Sequence, residues 1–257
     1  MIRHTHKAGD EISVGLGDGL EISMIYCPHG SFVMGIPPKP GDEDRSSYSL
    51  KYTTSHCVTL TKGFWIGKYT VSQQQFVPFI GRNPSPYKAA NLPVVGINHK
   101  MCKWYAKKLN DFIGADVFRL PTEAEWEYAC RAGTTGDFAG SGNLDEMGWY
   151  DGNSGGVLHP AGEKMPNGWG VHDMHGNVRE WCDDNYSPYS PEAVVNPKVN
   201  LDCGNIVLRG GCYGKTSDTC ASGSRFSDYG FSRGNAEFGF RIAANENITK
   251  TCKQIIL

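Results

Sequence analysis

The chain lacks a strong excess of either charge. Its 25 Lys and Arg stand against 27 Asp and Glu, a formal net charge of −2, and no acidic or basic run breaks the pattern. A basic footprint for a phosphate backbone is therefore missing, and nucleic acid is not an expected partner. No stretch approaches the ~20 apolar residues that span a bilayer, so no transmembrane segment is expected. The polar start Met1-Ile2-Arg3-His4-Thr5-His6 has none of the apolar region of a secretory signal. Nine cysteines occur, at 27, 57, 102, 130, 182, 203, 212, 220 and 252, without one CxxC pair, so neither a zinc ribbon nor a thioredoxin-type motif is indicated. There is no G-x-S-x-G elbow to activate Ser217 or Ser222, and no Walker or dinucleotide pattern around the glycines of Arg209-Gly210-Gly211. Internal repeats, low-complexity tracts and interdomain linkers are also absent.

What the chain has is aromatic bulk and turns. Six Trp, twelve Tyr and eleven Phe supply a core, while 32 Gly and 14 Pro imply many ordered irregular segments, a profile that suits a loop-rich fold better than a helical bundle. Gly63 to Tyr69 is short, aromatic and bounded by glycine, which predicts a strand, and Thr70 to Ile80 follows as a helix with Phe76, Phe79 and Ile80 on one side. Asn98 is the expected N-cap of a second helix whose apolar face is Met101, Tyr105, Leu109 and Phe112, with Lys100, Lys103, Lys107 and Lys108 elsewhere. Thr122 and Glu125 form a T-x-x-E capping box for a third helix ending near Arg131. Cys102 and Cys130 lie in these helical patterns and are expected as buried free thiols. The stretch from Gly133 to Pro166 has no clear period, yet Phe138, Trp149 and Tyr150 imply that packing orders it. The tail from Glu246 to Leu257 reads as a peripheral extension.

Five segments in order carry a family resemblance. They are GSFVMG (Gly30 to Gly35), FWIGKYTVSQQQF (Phe64 to Phe76), FRLPTEAEWEYACRAG (Phe118 to Gly133), PNGWGVHDMHGNVREW (Pro166 to Trp181) and LRGGCYGKTSDTCASGSRFSDYGFSRGNAEFGFR (Leu208 to Arg241). Together with GFRIA they resemble the formylglycine-generating enzyme (sulfatase-modifying factor) family from about Leu20 to Ala244. The resemblance implies an α+β chain with the C-type-lectin-like fold of that family, loop-rich with a few helices and short strands. It divides the chain into a lead-in at 1–19, a domain at 20–247 and a tail at 248–257.

The resemblance also brings an expected departure. Lys215 stands where the catalytic members carry the first of two cysteines that bind copper, and only Cys220 matches the second. Soft thiolate ligands hold Cu(I), and a lysine supplies no sulfur. The expectation is a protein that is not an enzyme, with an oxidase acting on a cysteine or related thiol through Cys212 and Cys220 as the alternative. No cofactor is required by this reading. The family holds structural calcium with oxygen ligands, and Asn177 and Glu180 are the candidate ligands here; Asn153 could serve a second site at which Gly162 and Lys164 replace the expected residues. His172 and His175 are expected to be structural.

The Leu208 to Arg241 segment further resembles the variable region of diversity-generating retroelement proteins of the TvpA type, which diversify codons by mutating template adenines. From Tyr213 to Phe238 only Lys215 and Glu237 fall outside the residues reachable from asparagine codons in that way. Rigid aromatics interleaved with small polar residues are what paratopes use. The residues expected to contact a ligand are Tyr213, Lys215, Ser217, Asp218, Ser224, Phe226, Asp228, Tyr229, Phe231, Asn235 and Phe238. Arg209, Arg225, Arg233 and Arg241 are expected scaffold positions. The partner would be a protein, glycan or small molecule, with protein favoured. Display at the cell surface or outside the cell, as on a lipoprotein, is what the resemblance implies.

Overall fold

The computed structural model describes residues 6–36, 54–201, 204–231, 234–252 and 255–256. Arg233 and Cys203 lie outside the described residues. The architecture is α+β, with three sheets and few helices. The first hairpin joins β1 (Glu11–Gly17) to β2 (Leu20–Cys27). Asp18 and Gly19 both have positive φ, 51° and 75°, the conformation that a two-residue turn needs to match strand twist. Next come β3 (Gly30–Met34), β4 (His56–Leu60), β5 (Phe64–Gly67), α1 (Gln73–Ile80) and α2 (His99–Ile113). The strand β6 (Phe118–Arg119) leads into α3 (Glu123–Arg131), followed by a single turn α4 (Leu144–Met147). The remaining strands are β7 (Arg179–Asn185), β8 (Val194–Val195), β9 (Asn205–Arg209), β10 (Arg225–Tyr229), β11 (Phe238–Gly239) and β12 (Ala243–Asn245). A last turn α5 (Ile248–Thr251) precedes β13 (Ile255–Ile256).

The sheets run β13-β1-β2-β5-β12-β6, β10-β9-β7-β11 and β3-β4-β8. The central strands of the six-stranded sheet are buried on both faces, which explains their continuous apolar runs, whereas β1 is buried on one face only. Ile22, Met24 and Tyr26 of β2 and Trp65 of β5 point into one core with Phe76, Tyr105, Leu109 and Phe240. Ile25, Phe64 and Ile66 point into a second core with Trp126, Met174 and Val207. The period of two along each strand thus serves two cores at once.

The caps form as the sequence predicts. Asn98 Oδ1 accepts from Met101 N at 3.0 Å, and Thr122 and Glu125 exchange side-chain to backbone bonds at 2.9 and 3.2 Å. Helix α1 starts three residues later than expected, because Ser72 and Gln75 form a capping box and Val71 is drawn into bonding with Phe240 and Val94. The inward face of α2 is Cys102, Tyr105, Ala106, Leu109 and Ile113; the expected Tyr105 and Leu109 are buried and Met101 packs against the core, while Phe112 is exposed. A step of four from Tyr105 and Leu109 leads to Ile113 and leaves Phe112 on the flank. Cys102 and Cys130 are buried free thiols. The 133–166 stretch is packed, with Trp149 stacked on His159 and Phe138 against His175.

The described residues of the expected lead-in and tail pack into the main body. Ile12, Val14 and Leu16 of the expected lead-in are core residues, as are Ile248 and Cys252 of the expected tail, and β13 pairs with β1. Alternating apolar residues at 12, 14 and 16 are the strand signal that a boundary at residue 20 overlooks. No helix among the described residues is long and apolar enough to cross a membrane.

Candidate ligand-binding surface

Three buried arginines hold the frame of the 208–241 segment. Arg209, at the end of β9, donates to Glu127 and to the carbonyl oxygens of Ser222, Gly223 and Ser224. Arg225, opening β10, grips Glu123 through Nε and Nη2 at 2.5 and 2.7 Å and stacks on Tyr189. Arg241 grips Glu180 at 2.6 and 2.7 Å. Burial alone would raise the pKa of Glu123, but Arg225 and Arg209 outweigh it and hold the carboxyl below its ordinary range. The turn Gly210-Gly211 then reverses the chain with φ of 95° and 69°. A Cβ on Gly211 would lie 2.5 Å from Cys220 Sγ, so only glycine fits beneath that thiol.

Residues outside the segment hold its backbone. Asn177 O accepts from Tyr213 N at 3.0 Å, Ser154 Oγ donates to Tyr213 O at 2.7 Å, and Asp151 N donates to Lys215 O at 3.1 Å. A 3-10 turn runs over Ser217–Cys220, and Ser224 Oγ closes it onto Asp218 O at 2.6 Å. Further on, Gly96 N donates to Asn235 O at 3.0 Å, and Asn235 Oδ1 accepts from Glu237 N at 2.9 Å.

Side chains on this fixed backbone fall into three groups. Lys215, Ser217, Asp218, Phe226, Tyr229, Phe231 and Asn235 are exposed, whereas Tyr213, Ser224 and Asp228 are half-buried. Phe238 is a correction: it is 1% exposed and packs edge-on against Trp181 at 5.5 Å. It lies on β11 beside Arg179 of β7, and Phe238 and Phe240 both enter the core around Gly239. The alternation Phe-Gly-Phe was the signal for this.

The exposed aromatics do not share one face. Along β10, Phe226 and Tyr229 are three residues apart, and the period of two sends them to opposite sides. Phe226 lies 4.2 Å from the Arg179 guanidinium and 6.0 Å from Phe238. Tyr229 covers Gly204, where a Cβ would come within 2.9 Å of its ring. One group therefore gathers around Glu237, which is 3.7 Å from Lys215 Nζ and 3.4 Å from Arg179 Nη1. Arg179 and Glu237 were not among the expected contact residues, nor was Tyr87, which is 67% exposed. Burial, Glu237, Cys212 and Tyr87 together push the Tyr213 phenol up.

The two candidate copper ligands are near each other, with Cys220 Sγ against Gly211, the residue before Cys212. Cys212 and Cys220 are both fully buried. Burial pushes their thiols up to about 11 and about 12 respectively, so both are protonated at neutral pH. Lys215 carries no sulfur at the position where the resemblance puts the first cysteine of the copper pair.

Calcium does not fit the expected ligands. Glu180 spends both oxygens on Arg241, and one also accepts from Trp126 Nε1 at 2.8 Å. Asn177 is folded back on His159, accepting from its N and donating to its O at 3.2 and 3.0 Å. Asn153 Oδ1 accepts from Tyr150 N, Gly162 N donates to Asp173, and Lys164 lies over the Trp149 ring. No group of three or more His, Cys, Asp or Glu suited to a metal ion occurs among the described residues. His175 is structural: Nδ1–H donates to Cys220 O at 2.8 Å and Nε2 accepts from Ala139 N at 3.0 Å. His172 Nδ1 lies 2.9 Å from Lys164 O.

Two clefts, of about 570 and 1860 Å³, lie elsewhere, one beside α2 and β6 and one between β1, β2 and the last turn. Neither is lined by residues of 208–241.

The chain is 33% identical to "Chaperone protein LppX" of Paenibacillus barcinonensis, with 58% of this chain and 70% of that protein covered. It is 34% identical to the formylglycine-generating enzyme of Streptomyces coelicolor, with 62% of this chain covered but only 54% of the enzyme's length. Among solved structures, Treponema denticola variable protein 1 superposes with a TM-score of 0.78 at 26% identity, covering 91% of this chain and 99% of that one. Residues 20–246 match the sulfatase-modifying factor enzyme 1-like domain, and the chain belongs to that family.

Proposed function

We propose that this protein is a ligand-binding member of the family that presents a diversified surface, residues 208–241, to a protein partner at the cell surface, and that it is not an oxidase. The observation that carries this reading is Lys215. At the position where the resemblance puts the first catalytic cysteine, its ammonium sits at the surface 3.7 Å from Glu237, while the remaining thiols are buried and protonated. The backbone bonds at Tyr213, Lys215 and Asn235 support display, because the exposed side chains of Lys215, Ser217, Asp218, Phe226, Tyr229 and Phe231 can vary without loss of them. An open surface also favours a macromolecule over a small molecule, whose sites are concave. A relative named as a chaperone is consistent with a protein partner.

The test is direct. Under reducing conditions with added Cu(I), the protein is expected neither to bind the metal stoichiometrically nor to consume oxygen with a cysteine-containing peptide. Copper binding and turnover that disappear in Cys220→Ala would establish the oxidase reading through Cys212 and Cys220 instead. The diversification element is read at the gene: a neighbouring reverse transcriptase and a near-repeat of the 208–241 coding segment, differing at adenines, are expected. A locus with neither removes diversification from the proposal.

A further inference from the structure

Helix α2 carries a second pattern on the side away from the core. Lys100, Lys103, Trp104, Lys107 and Asp111 are exposed there, and half-buried Lys108 holds its Nζ 5.9 Å from the Trp104 ring. Steps of three and four align these residues in one stripe opposite the face that packs. Trp104 is 46% exposed, and Phe112, 47% exposed, flanks the stripe. Positive charge is concentrated here: four Lys and one Asp lie on one helix of a chain whose net charge is −2. The carboxylates near it are Asp111, 3.0 Å from Lys107, Asp183, 3.1 Å from Lys103, and Asp116, which lines the same cleft as Lys103 and Lys107. Lys100 and Lys108 have no carboxylate partner among the described residues.

Two features select the partner class. All four cations are lysines, whose hydrated point charge suits a wet array of headgroups, whereas protein interfaces enrich arginine and deplete lysine. An exposed indole beside lysine stems is the mixture that settles at a lipid–water boundary. The helix has 15 residues and is ~22 Å long, enough to lie flat on such a surface. We propose that this stripe docks on an anionic membrane surface, with Trp104 among the headgroups and Lys100, Lys103, Lys107 and Lys108 over acidic lipids. None of these residues belongs to the 208–241 segment, so the inference stands apart from the proposed function.

The experiment is co-sedimentation of the full chain with vesicles of phosphatidylcholine alone and of equimolar phosphatidylcholine and phosphatidylglycerol. Binding is expected only to the anionic vesicles and is expected to fall with added salt. The Lys100→Gln/Lys107→Gln double variant should bind more than about tenfold more weakly, on the scale of one strong contact per lysine removed. Trp104→Ser should also weaken binding, and Lys62→Gln should not. All these positions are exposed, and an unchanged melting temperature verifies that each variant folds. Failure to bind anionic vesicles, equal binding by the double variant, or equal binding to soluble polyglutamate would each overturn the proposal.

Discussion

Arg241 and Glu180 form a closed pair, with Nε and Nη2 on the two carboxylate oxygens at 2.6 and 2.7 Å and both side chains out of reach of water. Removal of one partner leaves a buried charge without compensation. Glu180→Ala is therefore expected to cost about 3–5 kcal/mol in denaturant unfolding. Because Arg241 already neutralises Glu180, added calcium should not restore the variant, and EGTA should leave the wild-type melt unchanged. A calcium-dependent melt would return Glu180 to the list of metal ligands.

Surface and frame should separate in stability. Tyr229 and Phe231 are 65% and 77% exposed, so their replacement by Ala should change unfolding by no more than about 0.5 kcal/mol. Trp126 and Trp181 are fully buried, and truncation of either to Ala should cost about 3–5 kcal/mol. Equal losses in urea melts of the four variants would place Tyr229 and Phe231 in the core.

The split of β10 predicts two independent contact groups. Ligands that use Phe226 should respond to Arg179 and Glu237 substitutions but not to Tyr229→Ala, since Phe226 stacks on Arg179 and Tyr229 covers Gly204. Binding to a selected partner by the single and double variants measures this: additive losses fit two groups, and strong coupling between Phe226 and Tyr229 does not.

His175 sets a pH dependence. Burial lowers its pKa from 6.5 to about 4, and the neutral ring both donates and accepts. A histidine with a depressed folded pKa contributes stability above pH 6.5 that is lost as pH falls towards 4. Relative to His175→Gln, the wild type should therefore lose on the order of 3 kcal/mol across that window. Asp184 acts in the opposite sense. Burial and Glu123 push it up to about 7, so its contribution is present below pH 3.8 and is lost as pH rises through 7. Parallel stability curves for the wild type and His175→Gln would remove His175 as the acid-sensitive group.

Thiol reactivity follows burial. With pKa values pushed up to about 11 and about 12, Cys212 and Cys220 should resist alkylation at pH 8 in the native protein, while exposed Cys57 reacts. Mass mapping after iodoacetamide labelling distinguishes them. Rapid native labelling of Cys220 would contradict its protonated, buried state.

Local chemistry was legible in the sequence wherever the partners lie within a few residues. Asn98 and the Thr122–Glu125 pair cap their helices as spacing requires, since a cap satisfies amides only one turn away. The family motifs carried the fold, and the aromatics of 133–166 carried its order. Phe231, which the resemblance put on the binding surface, is exposed. Positions at which two patterns overlap were less legible: Phe238 looks like its exposed neighbours in composition, but the strand period places it with Phe240 in the core.

Contacts between distant segments had to wait for the tertiary structure. The pairing of Glu180 with Arg241, 61 positions apart, turned an expected calcium ligand into the counterion of a scaffold arginine. Lys215 reached Glu237, 22 positions on, where Glu237 also meets Arg179 of β7. A sequence specifies which groups can pair, but the direction of each buried side chain is set by the packing of both cores at once. The roles of Glu180, Phe226 and Tyr229 are decided at that level.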